Sequence, residues 1–446
     1  MNSLKAFLIA LSLSIVLISC RSSSETYPGT APNPTYSVTY DGNGSTGGTI
    51  PIDSTSYEQG QTVIALANTG NLVKTGFVFS GWNTQTDGLG TNYLHTQEFT
   101  ISANVTLYAK WIAASRYTYV ANQDSNSVSQ YTINTDGSLT SMTTPTVATG
   151  LAPYCVAAHP SGNYVYVANA GDSTISQYTI SADGSLISMT TPTVVSAGPT
   201  SIAIDRAGKY VYAASFAANN ISQYTINSDG SLTPMTLATV AAGWGPMTVT
   251  IDPSGRYVYT ANFMDETISQ YRIGADGSLI PMTTPTVAAG PTPWSITVSP
   301  SGKSVYVTNE GNGNVNGTIS QFTIGADGSL TSMATPTVVA GLSPISITVD
   351  PTRKYAYVAN LSGNNVSQYT ISADGSLTPM ATATVNSGAP FSITVDSLGK
   401  YAYVASWVGY VYQYTIGADG SLASMATPAI AAEAGANSIV TVGAHD

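Results

Sequence analysis

Charge is what this chain has least of. Only 8% of its 446 residues are Asp, Glu, Lys or Arg, and 13 basic side chains stand against 24 acidic ones for a net charge of -11. Binding nucleic acid needs Lys and Arg gathered on one surface, so that partner is excluded. Imidazole is scarcer still: three His, at 95, 159 and 445, leave proton-transfer chemistry few candidates. Two cysteines, Cys20 and Cys155, allow at most one intrachain disulfide, so stability must come from packing. What is present is 43% apolar residues and a neutral remainder of Ser, Thr, Asn, Gln and Gly, the profile of an exported β protein.

The first 20 residues, MNSLKAFLIALSLSIVLISC, carry one Lys and an apolar run from Ala6 to Ile18. The run is short for a membrane span and has the layout of an export signal, here residues 1–19. Leu17-Ile18-Ser19-Cys20 resembles a bacterial lipobox, and the resemblance implies cleavage before Cys20 and lipidation of its thiol. Each buried methylene of such a lipid contributes about 0.8 kcal/mol, so two or three chains hold a protein on a membrane. Arg21, in place of the Asp of an inner-membrane retention signal, points to the outer membrane or cell surface. With Cys20 lipidated, Cys155 has no disulfide partner. Residues 20–35, rich in Ser, Pro and Gly, read as a flexible tether.

Residues 36–112 alternate apolar and polar positions between Gly- and Asn-rich turns and read as a small β unit. YSVTYDGNGSTGGTIP, FVFSGWNTQTDGLGTNY and VTLYAKW, with Gly81-Trp82 and Lys110-Trp111, resemble the internalin-type B repeat, also called the Listeria-Bacteroides repeat. That resemblance implies a β-grasp-like spacer or contact module without catalytic residues.

From Tyr117 a period takes over. DGSL recurs with its Asp at 136, 183, 229, 276, 327, 374 and 419, and each unit holds four strand-like runs. We letter them A (PxSITVD), B (YVYVAN), C (ISQYTI) and D (LTSM to TPTV). Asp-Gly predicts a tight turn from C to D, and DPSGK a turn from A to B. Such units build propeller blades or a solenoid. A solenoid needs polar caps and none is visible. Instead, the region opens at a B run with no preceding A run and closes on a spare A run, SIVTV, at 438–442. The spacing therefore predicts an all-β, seven-bladed propeller over 117–446, with 438–442 joining the blade begun by 117–148. YVAN and YVTN (306–309) resemble the YVTN family and the lactonase-like seven-bladed propellers, which implies the fold and leaves the activity open.

Seven copies allow an internal comparison. The A to B and C to D turns, on the bottom face, barely change; the D to A and B to C connections, on the top face, change almost completely. Behind the Pro of strand A stand Tyr154, Thr200, Met247, Trp294, Ile345 and Phe391. After strand B come Gln123-Asp124, Gly171-Asp172, Phe216, Phe263-Met264-Asp265-Glu266, Glu310, Leu361 and Trp407, while Trp244 lies in a D to A connection. Acidic Asp124, Asp172, Asp265, Glu266, Glu310 and Glu433 are all on top. Arg206, Lys209, Arg256, Lys303, Arg353, Lys354 and Lys400 are all in bottom turns.

Two functions follow. One is a binding face in which Tyr154, Trp244, Trp294, Phe391, Trp407, Phe263 and Glu310 meet a carbohydrate, basic peptide or protein; aromatics that merely plug the channel are its plainer counterpart. The other is a lactonase-like hydrolase or lyase in the same funnel, with Glu310 paired to Asp265 or Glu266, for which a carboxylate separation of roughly 5–9.5 Å is required. The relatives that open phosphorylated sugar lactones need basic groups at the mouth, which this chain does not place there. No cofactor or metal is implied: DGSL lacks the spacing of a calcium loop. The recurrent Met142, Met189, Met235, Met282, Met333, Met380 and Met425 read as packing residues, and Cys155 stands where other blades have Ser201, Ser295, Ser346 and Ser392. The expected place of the whole is the cell envelope, lipid-anchored through Cys20.

Overall fold

The computed structural model describes residues 33–443 apart from 75, 89, 94–96, 114, 312 and 314. The export signal, Cys20, His95 and His445 lie outside the described residues.

Seven four-stranded antiparallel sheets follow one another. In the second, A is Pro153–Ala158, B is Tyr164–Asn169, C is Thr174–Ile180 and D is Leu186–Val195. Five more A strands open at Pro199, Pro246, Pro293, Pro344 and Pro390. The A strands of successive blades touch, so they surround the axis and the D strands form the rim.

The first blade takes its A strand from the far end of the chain. Ala436–Gly443 pairs antiparallel with Ser115–Asn122, setting Ile439 opposite Val120 and Val440 opposite Tyr119. The spare run and the missing run thus meet as the pattern requires, and the ring leaves no central edge exposed.

Blades are joined by polar bonds as well as by apolar cores. The Tyr three residues before the end of each B strand is buried, and its hydroxyl donates to the DGSL glycine carbonyl of the next blade: Tyr119 to Gly184 at 2.5 Å, Tyr259 to Gly328 at 2.6 Å and, across the closure, Tyr403 to Gly137 at 2.7 Å. The Gln of strand C spans the same joint: Gln130 Oε1 accepts from Leu186 N at 2.6 Å. These tyrosines therefore work between blades. The DGSL glycine is required twice over. Gly184 has φ +87°, and a Cβ there would stand 2.2 Å from the Tyr117 ring. The preceding Asp only shapes the turn, Asp183 Oδ1 accepting from Ser185 N at 3.0 Å.

The amino-terminal module is a separate mixed sheet in the order Val38–Asp41, Val105–Ala113, Phe77–Asn83, Asn92–Tyr93, with the first pair parallel. Its two Trp landmarks explain themselves. Trp82 is fully buried and donates to Leu66 O at 2.7 Å, and Trp111 donates to Gly42 O at 3.0 Å. Among the described residues this module contains no helix.

Candidate functional site

The top of the channel is built by seven bulges. In each A strand the ladder skips a residue just after its first position: Pro153 faces Asn169 and Cys155 faces Ala168, leaving Tyr154 as the extra residue. The same step frees Thr200, Met247, Trp294, Ile345, Phe391 and Asn437. A bulge bends the strand and re-aims its side chain, here toward the axis, where residues from non-adjacent blades meet. Tyr154 of blade 2 meets Phe391 of blade 7 with ring centres 6.1 Å apart, and Trp294 of blade 5 meets the same ring at 6.2 Å.

A second ring comes from the residues after strand B. Phe263 stands 5.5 Å from Trp294, Trp407 5.3 Å from Phe391, and Phe216 6.4 Å from Phe263. Most of these contacts are edge to face, the arrangement that aromatic quadrupoles favour. Six aromatic side chains form one connected cluster, so the rings cap the channel where an open funnel was one expectation.

The loops behind the cluster are strained. The residue before each A strand has positive φ: Gly198, Gly245 and Gly435, and also Ala152, Thr292, Ser343 and Ala389, at 38° to 51°. Non-glycine residues in this region mark local strain. Their carbonyls accept from the second ring, Glu310 N donating to Thr292 O at 3.0 Å and Trp407 N to Ala389 O at 3.0 Å.

The carboxylates separate into clasps and one site group. Asp265 Oδ2 accepts from Trp244 N at 2.5 Å, and Asp172 Oδ2 from Leu151 N at 2.8 Å; both fasten D to A connections. Glu266 is exposed in a turn at φ 54°, and Asp124 and Glu433 are exposed. Glu310 differs. It is half-buried, and burial raises its pKa above the ordinary glutamate value against an opposing hydrogen bond from Ser343. Burial, followed by the nearby charge of Glu310, raises the Tyr154 phenol. Of the predicted binding residues, the structure brings Tyr154, Phe263, Trp294, Phe391 and Trp407 together and sets Glu310 within electrostatic reach of Tyr154. Trp244 stays apart at the rim, 59% exposed beside Met264.

Cys155 belongs to an inner ring that the sequence pattern hinted at without explaining. Ser201 Oγ accepts from Val249 N at 3.2 Å and Ser438 Oγ from Val156 N at 3.1 Å, each hydroxyl holding the next blade's A strand. The Cys155 thiol takes the same post against Ile202 N, and its raised pKa comes from burial. His159 is a bottom-turn fastener, its Nε2 3.0 Å from Gly208 O. Asn437 is the seventh plug residue; its Nδ2 donates to Gln123 Oε1 at 3.0 Å. Aligning ANSIVTV with PFSITV could have found it.

Comparison with known proteins agrees with this geometry. Residues 111–240, 221–287 and 280–389 match the model of the lactonase family described as a 7-bladed β-propeller, and residues 36–110 match the Listeria-Bacteroides repeat domain. A provisionally named 6-phosphogluconolactonase from Bacteroides fragilis superposes with a TM-score of 0.63 at 21% identity, covering 74% of this chain and 98% of the other. The periplasmic gluconolactonase of Pseudomonas aeruginosa gives 0.61 at 17% identity over 74% of this chain and 99% of its own. A provisionally named Gly-rich membrane protein from Evansella cellulosilytica is 38% identical over 77 residues, 17% of this chain; the match spans only 9% of that relative's length.

Proposed function

The chain belongs to the seven-bladed β-propeller lactonase family, and from that premise we propose that its propeller is a binding module whose top face engages a carbohydrate or a basic peptide. The observation that carries this reading is the connected ring cluster with one half-buried carboxylate, Glu310, in electrostatic reach of its Tyr154. Aromatic edges and faces stack on sugar C–H groups or attract cations, and a desolvated carboxylate supplies the hydrogen-bond acceptor. Opening a lactone requires, besides a base, a cation or donor set for the developing oxyanion. The eight Lys and Arg of residues 117–446 lie in A to B turns or, for Arg272, opposite Tyr257 at the same end of a blade.

A glycan and basic-peptide array probed with the wild-type protein, Trp294→Ala and Trp407→Ala tests the reading. Signals lost in both variants support it; equal signals from all three proteins sink it. The second reading, a hydrolase, is favoured by the family and by the half-buried Glu310, whose pKa burial raises above the ordinary glutamate value. Turnover of sugar lactones that Glu310→Gln abolishes would replace the first reading with the second.

The envelope address rests on the lipobox-like tetrad, on the surface-protein repeat at residues 36–110, and on the names of the Evansella and Pseudomonas relatives. Metabolic labelling with a palmitate analogue should mark the wild-type chain and leave Cys20→Ser unmarked.

A further inference from the structure

The bottom turns of blades 3 to 6 surround a cleft of about 620 Å³, and four cations line it: Arg206, Arg256, Lys303 and Arg353. That is nearly a third of the 13 basic residues in a chain of net charge -11. Two of them are departures from the repeat. At the second position of the A to B turns stand Pro160, Pro253, Pro300 and Pro351, with Ser397 in blade 7, but blade 3 has Arg206. At the fourth, where Gly162, Gly208, Gly255, Gly302 and Gly399 take φ of 65° to 75°, blade 6 places Arg353 at 66°. A left-handed non-glycine residue costs roughly 1–2 kcal/mol, so the turn holds this guanidinium against its own preference.

The cleft leaves the cations poorly neutralised. Asp252, the acidic lining residue, is committed to its turn: it accepts from Ser254 N at 3.0 Å, Arg256 N at 2.8 Å and Tyr257 N at 2.7 Å, and from the Ser254 hydroxyl. Desolvation lowers Arg206 with no carboxylate opposing it, and lowers Arg353 against the partial opposition of Asp350. The amino-terminal module closes one side with Asn92, whose Oδ1 already accepts from Asn83 and from Lys110 Nζ at 2.9 Å, so its amide N–H₂ is the group it can offer.

We propose that this cleft is an oxyanion site for a multivalent group of the phosphate class. Planar guanidiniums paired with an ammonium and an amide donor suit such a group, because each Arg presents parallel N–H bonds to two oxygens. The site lies at the opposite end of the propeller from the aromatic cluster and stands independently of what that cluster binds.

The test is calorimetric titration of the full-length protein with pyrophosphate, and co-sedimentation with phosphatidylglycerol vesicles against phosphatidylcholine vesicles. The key variant is Arg206→Pro/Arg353→Gly, which restores the residues of the other turns and should fold at least as well. A second, Lys209→Gln/Lys400→Gln, removes equal charge outside the cleft. Saturable pyrophosphate binding weakened about tenfold or more in the first variant and unchanged in the second supports the site. Binding confined to phosphatidylglycerol vesicles with the same variant pattern supports it with a lipid headgroup as the source. No binding to either probe overturns it, as does equal loss in both variants, which would reduce the effect to net charge.

Discussion

One hydroxyl is missing from an otherwise repeated joint. The Tyr of QYTI donates to a carbonyl at or near the end of the preceding blade's D strand: Tyr178 to Ala148 O at 2.6 Å, Tyr271 to Ala241 O at 2.7 Å, and likewise for Tyr131, Tyr224, Tyr369 and Tyr414. Blade 5 has Phe322 at this position, buried like the tyrosines. Register places Ala288 O opposite it, so Phe322→Tyr should gain about 1 kcal/mol, read as a raised melting temperature. The DGSL aspartates make a pH prediction. Hydrogen bonds from Ser181 and Ser185 hold Asp183 down to about 2, and those from the following Ser lower Asp136, Asp229, Asp276, Asp327, Asp374 and Asp419. A carboxylate whose folded pKa is depressed adds stability above its unfolded value, near 3.9, and loses it as pH falls through the folded one. Melting temperature should therefore fall from about pH 4 toward pH 2, and Asp183→Asn should flatten that slope. Glu310, shifted the other way by burial, favours the folded state as it becomes protonated, and that gain is complete above the pH 4 to 2 window.

At the scale of the strand, the bulge decides what the mouth is. A period of two would send Tyr154, Trp294 and Phe391 along the blade face, but one extra residue per A strand turns them inward. The D to A connection must then reverse within the residue before the A strand, which explains positive φ in all seven blades. At Gly435 a Cβ would stand 2.6 Å from Asp124 N, and at Gly245 one would stand 2.9 Å from Met264 Cγ and 3.0 Å from Phe216 Cε2. Gly245→Ala should destabilise by about 1–3 kcal/mol through both φ and contact, measured by denaturant unfolding. Ala389→Gly, at φ 38° with no side-chain bond to lose, should cost nothing or gain slightly. The sequence showed which positions vary on the top face, because variation within a repeat is visible as letters. It did not show that they interlock, because a one-residue register step leaves no trace in the period.

For the whole molecule, the legible part is what repetition imposes: seven DGSL turns, the four-run unit, and the unpaired run at each end. Hidden from the sequence is what only closure juxtaposes. Arg206 and Arg353 are 147 positions apart, and Asn92 belongs to another module, yet all three line one cleft. The closing strand carries the heaviest burden in this arrangement. Ala436, Ile439 and Val442 are buried; Ile439 joins the core between blades 7 and 1, and Val442 the core between blades 1 and 2. Removing residues 436–446 uncovers both cores and leaves the strand Ser115–Asn122 as a bare inner edge. Burial of those three side chains contributes on the order of 5 kcal/mol, and an unpaired edge templates association. The truncated protein should unfold at markedly lower denaturant and run as oligomers on size exclusion. A peptide spanning 436–443 added in trans should restore the monomer by completing the ladder. Truncation with unchanged unfolding would mean that the ring does not depend on its closure, and the gathering of top-face aromatics and bottom-face cations would need another cause.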